Sequence, residues 1–268
     1  SSDVCSSDLT YDNTCTRIIH GTYYNLTIDR AEMPLCGDVT VNNQFSAAQN
    51  MTLSCEEGKN PTLTVGNINY NNSPKNLTFN VNTTITDNTN YQNRISAITV
   101  AEGKKVTFTG NTAISSNVTL AGDIEIVDGV TLSLGGEHIY FATDDLLTQK
   151  ANIIGDGKLM FTRTQSRIWR LTECQSCMCI GTGHVVYEGT STRILPGTYN
   201  NLEVRGNSSI ILCGDVIVNG WYWNKLGIEF NGVSGNEKIT LNELNGDNNK
   251  WNYTFNVDAT INGPFTKS

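Results

Sequence analysis

Apolar residues in this chain come in pairs two positions apart, with polar residues between and around them. Leu26/Ile28, Val39/Val41, Leu63/Val65, Leu77/Phe79, Leu159/Phe161, Val185/Tyr187, Leu202/Val204, Val216/Val218, Ile228/Phe230, Ile239/Leu241 and Phe255/Val257 all follow this rule. A spacing of two puts both side chains on one face of a short strand and the residue between them on the other. Gly-Asp, Asn-Gly and Asn-Asn steps separate the pairs and supply turn chemistry. No apolar periodicity of 3.6 residues extends beyond two turns, so the chain is predicted to be all-β. The middle is stricter. Val106, Thr112, Val118, Ile124 and Val130 are spaced by six, as are Phe108, Ile114, Leu120, Ile126 and Leu132. Five consecutive hexads of this form predict a parallel β-helix (a β-solenoid) in which each hexad supplies one short face of a coil.

The strict hexads are of the kind found in left-handed β-helices. Outside residues 106–132 the pairs are spaced irregularly, which favours a right-handed coil tolerant of loops of varied length. The alternative architecture is a tandem array of β-sandwiches, in which the hexads would have no role. Stacked coils would bury one apolar column, and Asn at the turns could hydrogen-bond its neighbours up the stack.

The chain also repeats itself at long range. T-R-I-I-H-G-T-Y-Y-N-L-T-I from Thr16 returns as T-R-I-L-P-G-T-Y-N-N-L-E-V from Thr192, an offset of 192 − 16 = 176. L-C-G-D-V-T-V-N (Leu35 to Asn42) returns at Leu212 to Asn219 after a one-residue insertion. T-F-N-V-N-T-T-I (Thr78 to Ile85) returns at Thr254 to Ile261. Three matched blocks in one order indicate a duplication, with a first unit at 10–185 and a shorter second unit at 186–268. A long unit used twice points to an array serving length or display.

Residues Ser1 to Leu9 read as a translated sequencing adapter and are expected not to be native sequence. Setting them aside leaves 8 − 1 = 7 cysteines, and removes Asp3 and Asp8 to change the formal charge from −8 to −6. Only 16% of residues are charged and basic clusters are lacking, which argues against nucleic acid and anionic membrane as partners. No apolar run reaches the roughly 18 residues of a membrane span. Cys36 and Cys213 recur at one position. Cys15 is matched by Ser191, and Cys55 falls opposite about Gly232, so buried unpaired thiols are expected at both recurring positions.

G-T-Y-Y-N-L-T-I followed by L-C-G-D-V-T-V-N (Gly21 to Asn42), with its second copy, resembles repeats in large secreted surface proteins of Bacteroidota. Those repeats carry G-x-Y-x-N-L-x-I, a short spacer and G-D-V-T-V-N-G-x-L. The resemblance covers the start of each repeat unit and implies an adhesin-like β-solenoid, exported and often bearing a terminal sorting domain. The Cys of L-C-G-D-V departs from the family pattern. A non-catalytic extended surface or secreted protein is therefore expected, adhesin-like or a stalk. It would be extracellular, a monomeric segment of a larger chain, without a cofactor, with a glycan or a host or matrix surface as partner. The alternative is a polysaccharide lyase or glycoside hydrolase on the same fold.

Several groups of residues are candidate sites. Trp221-Tyr222-Trp223 stand where the first copy has Gln44, Phe45 and Ser46, so the second copy has gained aromatics that the scaffold does not require. Trp and Tyr faces stack on sugar rings, which suits a glycan-binding patch, although alternate rings could instead pack on the solenoid. Cys174, Cys177 and Cys179 are the tightest group of potential metal ligands, with His184 as the nearest histidine. A disulfide or free core thiols explain them more simply. Asp144-Asp145 could be paired catalytic carboxylates but read as a solvated turn, and His184 reads as a strand-flanking surface residue. Asp38 and Asp215 recur before a strand, where turn chemistry is more ordinary than calcium binding. Asn-x-Ser/Thr sequons such as Asn25, Asn50, Asn76 and Asn82 follow from composition.

Overall fold

The computed structural model describes residues 8–12, 16–69, 75–86, 97–114, 118–135, 139–141, 152–161, 178–179, 183–188, 193–206, 209–224, 227–246, 252–263 and 265–267. Among them there are strands and turns and no helix, hence none long and apolar enough to cross a membrane. The strand pairings are parallel, each strand lying against the equivalent strand of the next turn. The chain is a parallel β-solenoid of about 9 turns, and the sandwich alternative is excluded.

Three faces wind around one interior. The first stacks Val39, Leu63, Thr83, Val106, Ile124 and Ile153 in register. It continues through Met178, Gly197, Val216, Ile239 and Ala259. The second face stacks Leu9, Leu26, Phe45 and Ile68 near the start, and Leu132, Leu159, Val185, Leu202, Tyr222 and Leu244 later. The third stacks Met51, Leu77, Ile98, Val118 and Ile139, then Ile210, Phe230 and Phe255. Inward residues of all three faces form one apolar column. Rings in register stack within it, Phe161 on Tyr187 at 4.5 Å and Phe230 on Phe255 at 4.8 Å.

The hexads translate directly into this geometry. Val106/Phe108 lie on the first face, Thr112/Ile114 on the second and Val118/Leu120 on the third. Ile124/Ile126 then return beneath Val106/Phe108. The fifth hexad slips. It is Leu132 and Leu134, not Val130 and Leu132, that pair with Thr112 and Ile114. The turn at Asp128-Gly129, with Gly129 at φ +76°, lengthens the corner before the strand begins.

Corners are held by side chains of the preceding turn. The Oδ1 atoms of Asp38, Asn50, Asn82, Asn111, Asp123 and Asp215 accept the backbone N–H groups of Thr62, Asn76, Lys105, Thr131, Asn152 and Lys238, at 2.7–3.0 Å. A parallel stack leaves N–H donors at the start of each strand, and Asx side chains satisfy them. Asp38 and Asp215 are thus turn residues. The recurring Gly21 and Gly197 have φ values of +141° and +134°, a conformation that L side chains rarely adopt. Their N–H groups donate to the backbone carbonyls of Asp38 and Asp215, the aspartates of the two Gly-Asp steps.

The duplication is visible in individual hydrogen bonds. Tyr11 Oη lies 3.1 Å from Tyr23 Oη, and Tyr187 Oη 3.1 Å from Tyr199 Oη, at a constant offset of 187 − 11 = 199 − 23 = 176. In each copy the first hydroxyl accepts a backbone N–H, from Ile19 or Leu195, and the second donates to the carbonyl of that same residue. The equivalence reaches back to the strands Asp8–Tyr11 and His184–Tyr187. The expected unit boundary at 185/186 therefore falls inside a strand. Asp8 and Leu9 also belong to a paired strand, in register with Asn25 and Leu26.

Candidate functional site

The second copy gathers a group of side chains on the outside of the second face. Its centre is the strand Val216–Asn224, where the register with the next turn slips between Val218 and Trp221. The same slip occurs between Val41 and Gln44 in the first copy. In both copies an Asn secures the bulge: Asn25 Oδ1 accepts the Gln44 N–H and Asn201 Oδ1 accepts the Trp221 N–H, each at 3.1 Å. The backbone is thus the same in the two copies at this point, while the side chains it presents are not.

Strand alternation divides the aromatic triplet. Trp221 and Trp223 face outward and are half-buried, whereas Tyr222 is fully buried in the column, 5.5 Å from the Phe230 ring. Tyr222 cannot belong to a surface patch, because a period of two puts it on the opposite side from both tryptophans. The expected three-ring platform is corrected to two rings.

His184 joins them. Its ring meets that of Trp221 edge-on at 4.8 Å. Its Nε2 lies 3.1 Å from Glu203 Oε2, an ion-pair distance without hydrogen-bond geometry. Glu203 stands in the outward register beside Trp223 yet is only 7% exposed. A buried carboxylate needs partners, and its other oxygen takes a short hydrogen bond from Arg205 Nε, while the same guanidinium reaches Glu188 at 3.4 Å. Burial holds His184 below its ordinary pKa of 6.5; the positive charges of Lys158 and Arg205 add to this and Glu203 opposes it. His184 is consequently neutral at pH 7 and can accept a proton or a hydrogen bond. It is a half-buried member of this group and not the simple surface residue expected.

Two half-buried, outward-facing indoles beside an anchored carboxylate, a guanidinium and an imidazole offer both stacking and directional hydrogen bonds. That combination suits a sugar, which has apolar ring faces and a rim of hydroxyls. The first copy lacks it. At the matching positions it has Asp12 for Glu188, Thr27 for Glu203, Asp29 for Arg205, Gln44 for Trp221 and Ser46 for Trp223, and the position of His184 falls within the nine residues read as adapter. Glu188, Glu203 and Arg205 were not foreseen from the sequence. The signal was present: T-I-D in the first copy becomes E-V-R in the second, at Thr27 to Asp29 and Glu203 to Arg205.

The remaining candidates lie elsewhere. Asp144, Asp145, Cys174 and Cys177 fall outside the described residues. So does the side chain of Cys179, whose backbone forms the strand Met178–Cys179. Among the described residues no group of three or more His, Cys, Asp or Glu could hold a metal ion. Cys36, Cys55 and Cys213 are free thiols; Cys213 is buried and Cys36 half-buried. Compared with known proteins, the chain matches no family model, no curated protein and no solved structure.

Proposed function

We propose that this chain is a non-catalytic rod segment of a secreted or surface-exposed bacterial protein, adhesin-like, whose second copy binds glycan through Trp221 and Trp223. One observation carries the reading. Five positions, those of Glu188, Glu203, Arg205, Trp221 and Trp223, differ together between the copies and gather around His184, while the Asn contact that fixes the bulge is retained. Drift would scatter such changes over the surface. A solenoid suits display because each turn adds length and a further strip of outer surface without altering the core.

The test is a glycan array probed with the whole chain, followed by titration of the best ligands. Trp221→Ala and Trp223→Ala are each expected to weaken binding tenfold or more, equivalent to about 1.4 kcal/mol, with the β-rich circular dichroism unchanged. Absence of binding across glycans and host matrix proteins, or binding indifferent to both substitutions, would sink the proposal.

An enzymatic reading has one observation in its favour. A neutral His184 beside the buried Glu203 is a chemically competent base pair in contact with the aromatic platform. It predicts release of reducing or unsaturated ends from a polysaccharide panel, abolished in His184→Ala.

A further inference from the structure

The interior beneath the tryptophan patch differs between the copies as much as the surface does. In the first copy, the inward residues at one level of the column are Phe45, Ala47 and Leu77, all apolar and at most 3% exposed. Their counterparts in the second copy are Tyr222, Asn224 and Tyr253. Three apolar side chains have become polar together. Tyr222 is 0% and Asn224 1% exposed.

Among the described residues the two new hydroxyls find no full hydrogen bond. The hydroxyl oxygens of Tyr222 and Tyr253 are both buried and have no hydrogen-bond partner among the described residues. The Asn224 side chain approaches the Tyr222 hydroxyl as a hydrogen-bonding neighbour without completing the geometry of a full hydrogen bond, and Tyr253 is near enough to act on it electrostatically. In the Tyr pairs of the same column, Tyr11 with Tyr23 and Tyr187 with Tyr199, every hydroxyl is bonded. Leaving a hydroxyl unpaired in an apolar core is costly. Gly246, in register with Asn224 on the next turn, adds no side chain there.

We infer that the second copy contains an internal hydration site, in which ordered water bridges the Tyr222 and Tyr253 hydroxyls with the Asn224 amide. Buried polar groups left short of partners are what a buried water satisfies, and such a water makes about three hydrogen bonds. The inference is independent of the glycan reading, because it concerns the inside of the solenoid and needs no ligand on the outside.

The direct test is a high-resolution crystal structure of the whole chain. Water within hydrogen-bond reach of both hydroxyls is expected; a dry site, or the two hydroxyls bonded to each other, would overturn the inference. Thermal unfolding supplies an independent readout, using the residues of the first copy. Tyr222→Phe, Asn224→Ala and Tyr253→Leu are each expected to lower Tm by about 2–4 °C, since each strands the partners that remain. The triple variant, which removes every polar group, should recover most of that loss. A triple variant that loses the sum of the single effects or more argues against a shared water.

Discussion

Gln44-Phe45-Ser46-Ala47 and Trp221-Tyr222-Trp223-Asn224 occupy the same four positions of the two copies, on the same bulge, with the same Asn contact behind them. In the first copy the outward side chains are small or flexible polar groups and the inward ones are apolar. In the second the outward pair is aromatic and the inward pair is polar. Backbone hydrogen bonds and corner caps specify the coil, so side chains on either side of the strand can change without unwinding it. A duplicated solenoid can therefore keep one copy as scaffold and use the other for chemistry.

If the copies share one core, equivalent truncations should cost the same. Leu26→Ala and Leu202→Ala each empty a fully buried position of the second face. Each is expected to destabilise by about 2–5 kcal/mol in urea unfolding. A large loss in one copy alone would mean that the copies do not pack equivalently.

A smaller effect should separate them. Tyr23 Oη donates to the carbonyl of Ile19 in a part-buried contact at an exposed residue, whereas Tyr199 Oη donates to that of Leu195 in a buried contact at a fully buried residue. Water reaches the part-buried contact more readily than the buried one to replace the lost donor. Tyr199→Phe should cost about 1–3 kcal/mol and Tyr23→Phe about 1 kcal/mol or less. Hydrogen exchange at Ile19 and Leu195 would localise each loss.

The weakest effect is a dependence on pH confined to the second copy. The pKa of His184 is lowered in the folded chain, so the unfolded chain binds the proton more tightly. Its contribution to stability is full above the ordinary value of 6.5 and is lost as pH falls through the lower folded value. The urea midpoint should drop between about pH 7 and about pH 5, and His184→Asn should flatten part of that drop. An unchanged slope in the variant would show that His184 is not held neutral by the fold.

Much of the architecture was legible because strand alternation and hexads are local. Val106/Phe108 through Ile124/Ile126 map onto three faces and a return, as their spacing implies. The slip at Val130 was not legible, since the length of a corner depends on how Asp128-Gly129 turns. The site was legible only in part. Trp221 and Trp223 stood out by comparing the copies, but His184, Glu203 and Arg205 looked unrelated to them. Their meeting depends on which residues of successive turns fall in register, which their separation along the chain does not reveal.

The amino-acid sequence by itself determined an all-β, coil-forming, duplicated chain, because alternation, turn residues and repeat blocks act over short distances along the backbone. The tertiary structure alone decided that Tyr222 lies inside while its neighbours lie outside, and that Asp38 and Asp215 cap strands. It also decided that a histidine, a carboxylate, a guanidinium and two indoles share one surface. Those facts depend on the stacking register between turns, which is set by the whole column packing together.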